Sequence, residues 1–284
     1  MEGRTLQYDE FLIFMDKLKF LALGRNDEIV ESFVKNLNFQ YISTWKDLRN
    51  FEKTLPLVFR GMTQRKTVNL CEEQNRDYFY IDTGYLGNKN WKKWHRVVKN
   101  GMQHSEPNDN LPTDRFKALT VGQEHLRFSS WKKNGRSILL VTPSEKPCLF
   151  YGVDRNKWVQ DTINEIKKYT DRPIVVRNKV GSRKERAGDK SIYNQIIQDN
   201  VFAVVTYNSI AATESVSFGI PAFALAPNFA DPLCLKDLSK IETPLYSDKD
   251  KVTKWQNWLG YCQYTTEEMR NGSALKIIED YNIK

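Results

Sequence analysis

The segment 201–223, VFAVVTYNSIAATESVSFGIPAF, most constrains what this chain can fold into. It opens on a β-branched apolar run, 201–205, and breaks at Thr206-Tyr207-Asn208-Ser209. Helical spacing follows as far as Gly219-Ile220-Pro221, and a second apolar run covers 222–226. Strand, polar turn, short helix, Gly-Pro stop and strand make one unit of a parallel α/β sheet, because parallel neighbours need a crossover between them. The turn sets Asn208 and Ser209 at the start of a helix, where unpaired backbone N–H groups and the helix dipole favour an anion. Glu214 lies one to two turns further in, placed to accept hydrogen bonds from hydroxyls carried by that anion. A phosphate beside a ribose or sugar satisfies both features. A capped crossover helix with a surface glutamate satisfies the same letters without a ligand.

The rest of the chain extends this pattern. Residues 137–142 read as a buried strand and 173–177 as the next one. Helices are expected from Asp154 or Asn156 to about 169, and over 192–198. Ligands of open α/β sheets sit outside the carboxyl ends of the strands, and Ser144, Arg177, Lys179, Asn208 and Ser209 all fall at such ends. Toward the N-terminus, spacing predicts a helix over 6–22 and a second over 28–37 capped by Asp27. Short strands are expected at 39–42, 57–60 and 78–81. The polar stretch 129–135 marks a boundary, giving an N-terminal α/β domain over 1–130 and a C-terminal α/β domain over 131–284. The tail is expected to form helices near Trp255, near Glu267 and after Ser273, and to cross back to the first domain.

The pattern V-T-x-N-S-x-x-x-x-E-x-x-x-x-G-I-P, from Val205 to Pro221, resembles the donor-binding unit of GT-B-type glycosyltransferases, nearest to the capsule-polysaccharide and surface-glycan group. The resemblance spans about 136–226. It implies two Rossmann-like domains facing a cleft, with the turn at Asn208 and Ser209 holding a nucleotide diphosphate and Glu214 facing the nucleoside. The segments YFYIDTGYLGN (78–88) and WLGYCQYTTEEMRNGSA (258–274) are similar to glycosyltransferase-like proteins of tailed phages.

On that reading, Arg177 and Lys179 would neutralise the phosphates of the leaving group without a metal, and Ser144 would donate to a phosphate oxygen. Arg183 and Lys184 extend the positive charge along a Gly-flanked loop. Asp82, closing an aromatic strand, is the expected general base that takes the acceptor proton, with His95 as a further candidate. An Asx-turn residue would look the same in sequence. The stretch 88–100, NKNWKKWHRVVKN, interleaves Trp91 and Trp94 with Lys92, Lys93 and Arg96, and Arg60 can join that surface. Aromatics among cations suit a nucleic acid, a sugar ring, or a helix with Trp inside and Lys outside.

Composition bounds the partners. Forty-three Lys and Arg against 35 Asp and Glu give +8, which favours a polyanionic partner. No apolar run reaches the roughly 18 residues of a spanning helix, and 1–20 lacks the cleavage site of a secretory signal. Four scattered cysteines form no CxxC pair and read as reduced thiols of a cytoplasmic protein, the host cytoplasm if phage-encoded. No DxD between apolar strands, HExxH or Cys/His cluster occurs, so no metal is expected. Nor are GxSxG, Walker or GxGxxG motifs present, against hydrolase, NTPase and dinucleotide-binding readings. The expected activity is metal-independent transfer of a sugar from a nucleotide sugar, expected to be a UDP-sugar, to hydroxymethylpyrimidine in phage DNA. A capsule or lipopolysaccharide glycan, or non-catalytic sugar or nucleic-acid binding, stands as the alternative.

Overall fold

A computed structural model of the chain describes residues 19–62, 65–87, 94–178 and 190–284. In chain order its strands are β1 (Lys19–Leu23), β2 (Asn38–Ile42), β3 (Leu57–Arg60), β4 (Tyr78–Thr83), β5 (Trp94–Lys99), β6 (Ser137–Val141), β7 (Ile174–Arg177), β8 (Val201–Thr206), β9 (Ala222–Ala224) and β10 (Gln263–Thr265). The helices are α1 (Glu28–Val34), α2 (Arg65–Glu73), α3 (Asp114–Leu119), α4 (Glu145–Tyr151), α5 (Arg155–Ile166), α6 (Ile192–Gln198), α7 (Ala211–Ser217), α8 (Lys249–Tyr261), α9 (Thr266–Arg270) and α10 (Ser273–Asp280).

The strands form two sheets. The first runs β10-β5-β4-β3-β1-β2, and the second runs β7-β6-β8-β9. Every pairing in the second sheet is parallel. There Val141 pairs with Arg177 on one side and Thr206 on the other, so three carboxyl ends share one edge. The central strands are apolar except for Ser137 at the start of β6 and Thr206 at the end of β8, because both faces are covered: β6 and β8 are buried throughout. At the rim, β2 alternates, with Asn38 and Gln40 exposed.

Asp27 caps α1 by accepting from the Ile29 and Val30 N–H groups at 3.0 and 3.3 Å. Asp154 caps α5 in the same way, from the Lys157 N–H at 2.9 Å. The helix expected over 6–22 is corrected at its described end, where Lys19–Leu23 is strand β1; residues 6–18 lie outside the described residues. Phe20, Leu21 and Ala22 are all buried, and a strand covered on both faces has a continuous apolar run that helical spacing also fits. The Pro143-Ser144-Glu145 turn leads directly into α4. Pro147 is tolerated there because it sits in the first turn, where a helix has no internal partner for the backbone N–H.

The tail returns to the first sheet: β10 pairs antiparallel with β5. Gln263, fully buried, accepts from the Tyr85 and Leu86 N–H groups at 2.7 and 3.2 Å and donates to Leu86 O at 3.0 Å. One tail side chain thus satisfies the backbone just after β4. The rings of Tyr85, Phe229 and Trp258 stack at 4.1 and 4.2 Å, joining the first sheet's loop, the loop after β9 and α8 in one core.

Candidate functional site

A cleft of about 960 Å³ lies where the carboxyl edge of the second sheet faces β4 and β5 of the first. From the second sheet come Ser144 and Lys146 after β6, Arg177 and Asn178 after β7, and Asn208, Ser209 and Glu214 after β8. Asp82, Thr83 and Arg96 form the facing wall, and His125 and Tyr193 contribute between them.

The second-sheet wall is held by its own polar bonds. Asn178 Oδ1 accepts from Arg155 Nη2 at 2.8 Å and from Thr142 Oγ1 at 3.1 Å, tying the ends of β6 and β7 together. Arg177 Nη2 donates to Lys190 O at 2.7 Å, and its other terminal nitrogen donates to Gln195 on α6. Ser209 Oγ accepts from the Ala211 N–H at 3.2 Å. Asn228 Nδ2 donates to Ser209 O at 2.9 Å, so the loop after β9 supports the turn after β8.

The cleft contains two carboxyls of opposite electrostatic character. Glu214 on α7 is pushed up to about 7 by burial, which Arg177 only partly opposes. Burial also raises the nearby Tyr193 hydroxyl, and Glu214 adds to the effect. Across the cleft, burial works to raise Asp82, but Arg96, the Tyr80 hydroxyl and the Thr83 N–H outweigh it and hold the carboxyl below its ordinary value. The contacts are close: Tyr80 Oη to Asp82 Oδ2 2.7 Å, Thr83 N to Asp82 Oδ1 2.7 Å, Arg96 Nη2 to Asp82 Oδ2 3.1 Å. Arg96 is 4% exposed; its burial is outweighed by Asp82, Tyr80 and Tyr85, which keep it charged. A carboxyl that titrates near neutrality can exchange protons with a ligand, whereas one locked in its ionised form can stabilise developing positive charge but is a weak proton acceptor.

Of the residues singled out by sequence, Asp82, Ser144, Arg177, Asn208, Ser209, Glu214 and Arg96 meet in this cleft. His95 does not: it is fully buried and stands next to Arg96 on β5, so the pleat turns it to the other face of the sheet. Trp94 is 7% exposed and packs in the core, away from solvent. Arg60 pairs with Asp27 at 3.0 Å and is absent from the cleft lining, although its charge reaches Asp82. Lys179, Trp91, Lys92, Lys93, Arg183 and Lys184 lie outside the described residues. Sequence reasoning missed Arg96 as the partner of Asp82 and Tyr193 as a lining residue, and it ranked His125, which does line the cleft, below His95 because it sits close to the domain junction. A β4–β5 pairing would have exposed the first; no local pattern marks Tyr193.

Among the described residues no group of three His, Cys, Asp or Glu side chains comes together as a metal site would require. No protein-family model and no curated protein sequence matches the chain. Solved structures do. A Thermosulfurimonas dismutans KpsC structure, described as a beta Kdo 2,7 transferase, aligns over 91% of this chain and 99% of its own, with a TM-score of 0.54 and 12% identity. A second KpsC structure from that organism, described as a beta Kdo 2,4 transferase, aligns over 84% and 89% with a TM-score of 0.48 and 11% identity. The first likeness and the two facing sheets agree on the fold, and the chain has a two-sheet, GT-B-like α/β architecture.

Proposed function

We propose that the protein is a glycosyltransferase that moves a sugar from a nucleotide-sugar donor to a hydroxyl of a capsule or other surface glycan. One observation carries this reading: the ends of β6, β7 and β8 deliver Ser144, Arg177, Asn208, Ser209 and Glu214 to one wall, opposite the ionised Asp82–Arg96 pair. The cleft volume, about 960 Å³, lies at the upper end of small-ligand sites and accommodates a nucleotide sugar. Arg177 and Lys146 would carry the phosphate charge, so the reaction is proposed to need no metal. Glu214 would bind the nucleoside and Asp82 would face the transferred sugar as a fixed negative charge.

The glycan acceptor is preferred over hydroxymethylpyrimidine DNA for a structural reason. In the described part of the Trp/Lys segment, Trp94 is core and Arg96 is committed to Asp82. A stacking surface for flipped bases needs such side chains free at the cleft mouth. Action in the cytoplasm goes with the proposal. Four buried free thiols accord with it, and no described helix is long and apolar enough to cross a membrane.

The test is thermal stabilisation by a panel of nucleotides, UDP first, followed by donor turnover measured as released nucleotide. At least one nucleotide should raise Tm in the wild type but not in Arg177→Ala. No shift with any nucleotide would sink the transferase reading, and a shift without turnover on any glycan or DNA acceptor would leave a binding protein.

A further inference from the structure

His104, in the loop after β5, is 1% exposed and stands outside the cleft lining. Its Nε2 lies 3.0 Å from Val97 O, and its Nδ1 lies 2.9 Å from Tyr85 Oη. A carbonyl oxygen only accepts, so Nε2 carries the ring proton and Nδ1 keeps its lone pair. The Tyr85 hydroxyl therefore donates to Nδ1, and it accepts from the His104 backbone N–H at 3.2 Å. One residue fills both roles of that hydroxyl and pins the far end of the Tyr85 side chain.

The imidazole is neutral. Burial and then the Arg96 charge push it down to about 3, against a smaller opposing effect of the Val97 carbonyl. A protonated ring would turn a second N–H toward the Tyr85 hydroxyl, whose own hydrogen would lose its acceptor. Space-filling alone does not call for a histidine here. The ring meets Phe229 and Trp258 edge to face, with centroids 6.2 and 6.4 Å apart, and a phenylalanine would do the same. Phenylalanine could not bond Val97 O and Tyr85 Oη at once.

Tyr85 carries this anchoring to the cleft wall. Its ring stacks on Phe229 at 4.1 Å and lies 5.1 Å from the Arg96 guanidinium carbon. Both side chains are buried, and a cation is drawn to an aromatic face more strongly when the two are out of water. Arg96 in turn donates to Asp82 Oδ2 and Thr83 O, each at 3.1 Å. His104 thus bonds both to Val97, the neighbour of Arg96 on β5, and to the tyrosine packed on its guanidinium.

We infer that His104 is a positioning residue for the Asp82–Arg96 pair, acting through the Tyr85 hydroxyl. The inference rests on the proposed role of Asp82 as the fixed charge facing the transferred sugar, and names the residue that holds that charge in place. Misplacing a group beside the reacting atoms by about 1 Å can cost roughly a hundredfold in rate, so a residue outside the cleft can govern turnover without touching a ligand.

The experiment places Tyr85→Phe and His104→Leu in the full chain, alone and together, and reads turnover as nucleotide released from a UDP-sugar or from the sugar of whichever nucleotide raises the wild-type Tm. The nucleotide-induced Tm shift should be unchanged, since neither side chain lines the cleft. In each variant kcat should fall about tenfold or more with the donor KM unchanged. The double variant should be no slower than His104→Leu, because both changes break one interaction. A second cycle, in urea, needs no turnover: Asp82→Asn should shift the unfolding midpoint less in either variant than in the wild type. A merely space-filling His104 would lower Tm while leaving kcat and the cost of Asp82→Asn as they were, and that result overturns the positioning role. If His104→Leu fails to fold, Tyr85→Phe, which removes a single oxygen, decides by the same two readings. If no nucleotide shifts the wild-type Tm, the transferase reading fails, and the urea cycle still decides whether His104 holds the pair.

Discussion

Arg96 Nη2 lies 3.1 Å from Asp82 Oδ2, directly across the antiparallel register that pairs these two residues on β5 and β4. The guanidinium also donates to Thr83 O at 3.1 Å and lies 5.1 Å from the Tyr85 ring centroid. The strand register, not a loop, therefore sets the position of the charge at this wall of the cleft.

Asp82→Asn is expected to destabilise the fold. It leaves Arg96 buried without its counter-charge, a loss of about 3–5 kcal/mol for fully buried pairs. Asp82 is 31% exposed, so about 2 kcal/mol is the expected value. The carboxyl is held below its ordinary 3.8, so its contribution is complete above that pH and disappears as pH falls through the lowered value. Urea unfolding should therefore separate wild type from Asp82→Asn at neutral pH and bring them together in strong acid. Identical midpoints at neutral pH would show that the pair contributes nothing.

Glu214 has the opposite sign. Its carboxyl rises from 4.5 to about 7 on folding. Between those values the folded protein keeps a proton that the unfolded chain has released, so stability falls as pH rises across the window and stays reduced above it. At about 1.36 kcal/mol per unit, the reduction is on the order of 3 kcal/mol. Glu214→Gln should match the wild type near pH 4.5 and melt at a higher temperature above pH 7. Parallel Tm-versus-pH curves for the two proteins would count against the raised titration.

Removing Arg177 should act on both the donor and Glu214. Arg177→Ala is expected to raise the donor KM about tenfold or more, the loss of a charge-assisted contact to phosphate. Because Arg177 now lowers Glu214, the same change should move the near-neutral limb of the pH–rate profile upward. Steady-state kinetics across pH reads both effects. A donor KM like that of the wild type would remove Arg177 from the phosphate site.

Gly219 stops α7 at a place where no side chain fits. Its φ is +82°, and an added Cβ would come within 2.2 Å of Ser130 O. Gly219→Ala meets strain and a backbone clash together, for a loss of about 3 kcal/mol. The Gly219 carbonyl also accepts from the Lys132 N–H at 2.7 Å, so the change should loosen the 130–132 segment against the second sheet. Chemical denaturation measures the loss; a neutral Gly219→Ala would mean that the two backbones move apart freely.

Much of the second sheet was legible because its signals are local. The β-branched run before Asn208, the Asp154 cap and the Gly219 stop each act within a few residues, and the strands and helices they bound are present. Since parallel strands end on one edge, naming those ends also named Ser144, Arg177, Asn208 and Ser209 as neighbours in the cleft, with Glu214 on the helix that follows. In the first sheet the same reasoning located β3 and the start of β4 but misread β1, whose unbroken apolar run carries no period to choose between helix and strand.

The amino-acid sequence by itself determined the alternation of strands and helices and the polar residues at their ends, because periodicity, capping and Gly-Pro punctuation are properties of neighbours along the chain. Only the tertiary structure decided which charges meet. Asp82 and Arg96 are 14 residues apart and join through strand register. Gln263 reaches the Tyr85 N–H from 178 residues away. Burial raises Glu214 across from the ionised Asp82. Pairing and desolvation depend on contacts between distant segments, and no local pattern in the chain records them.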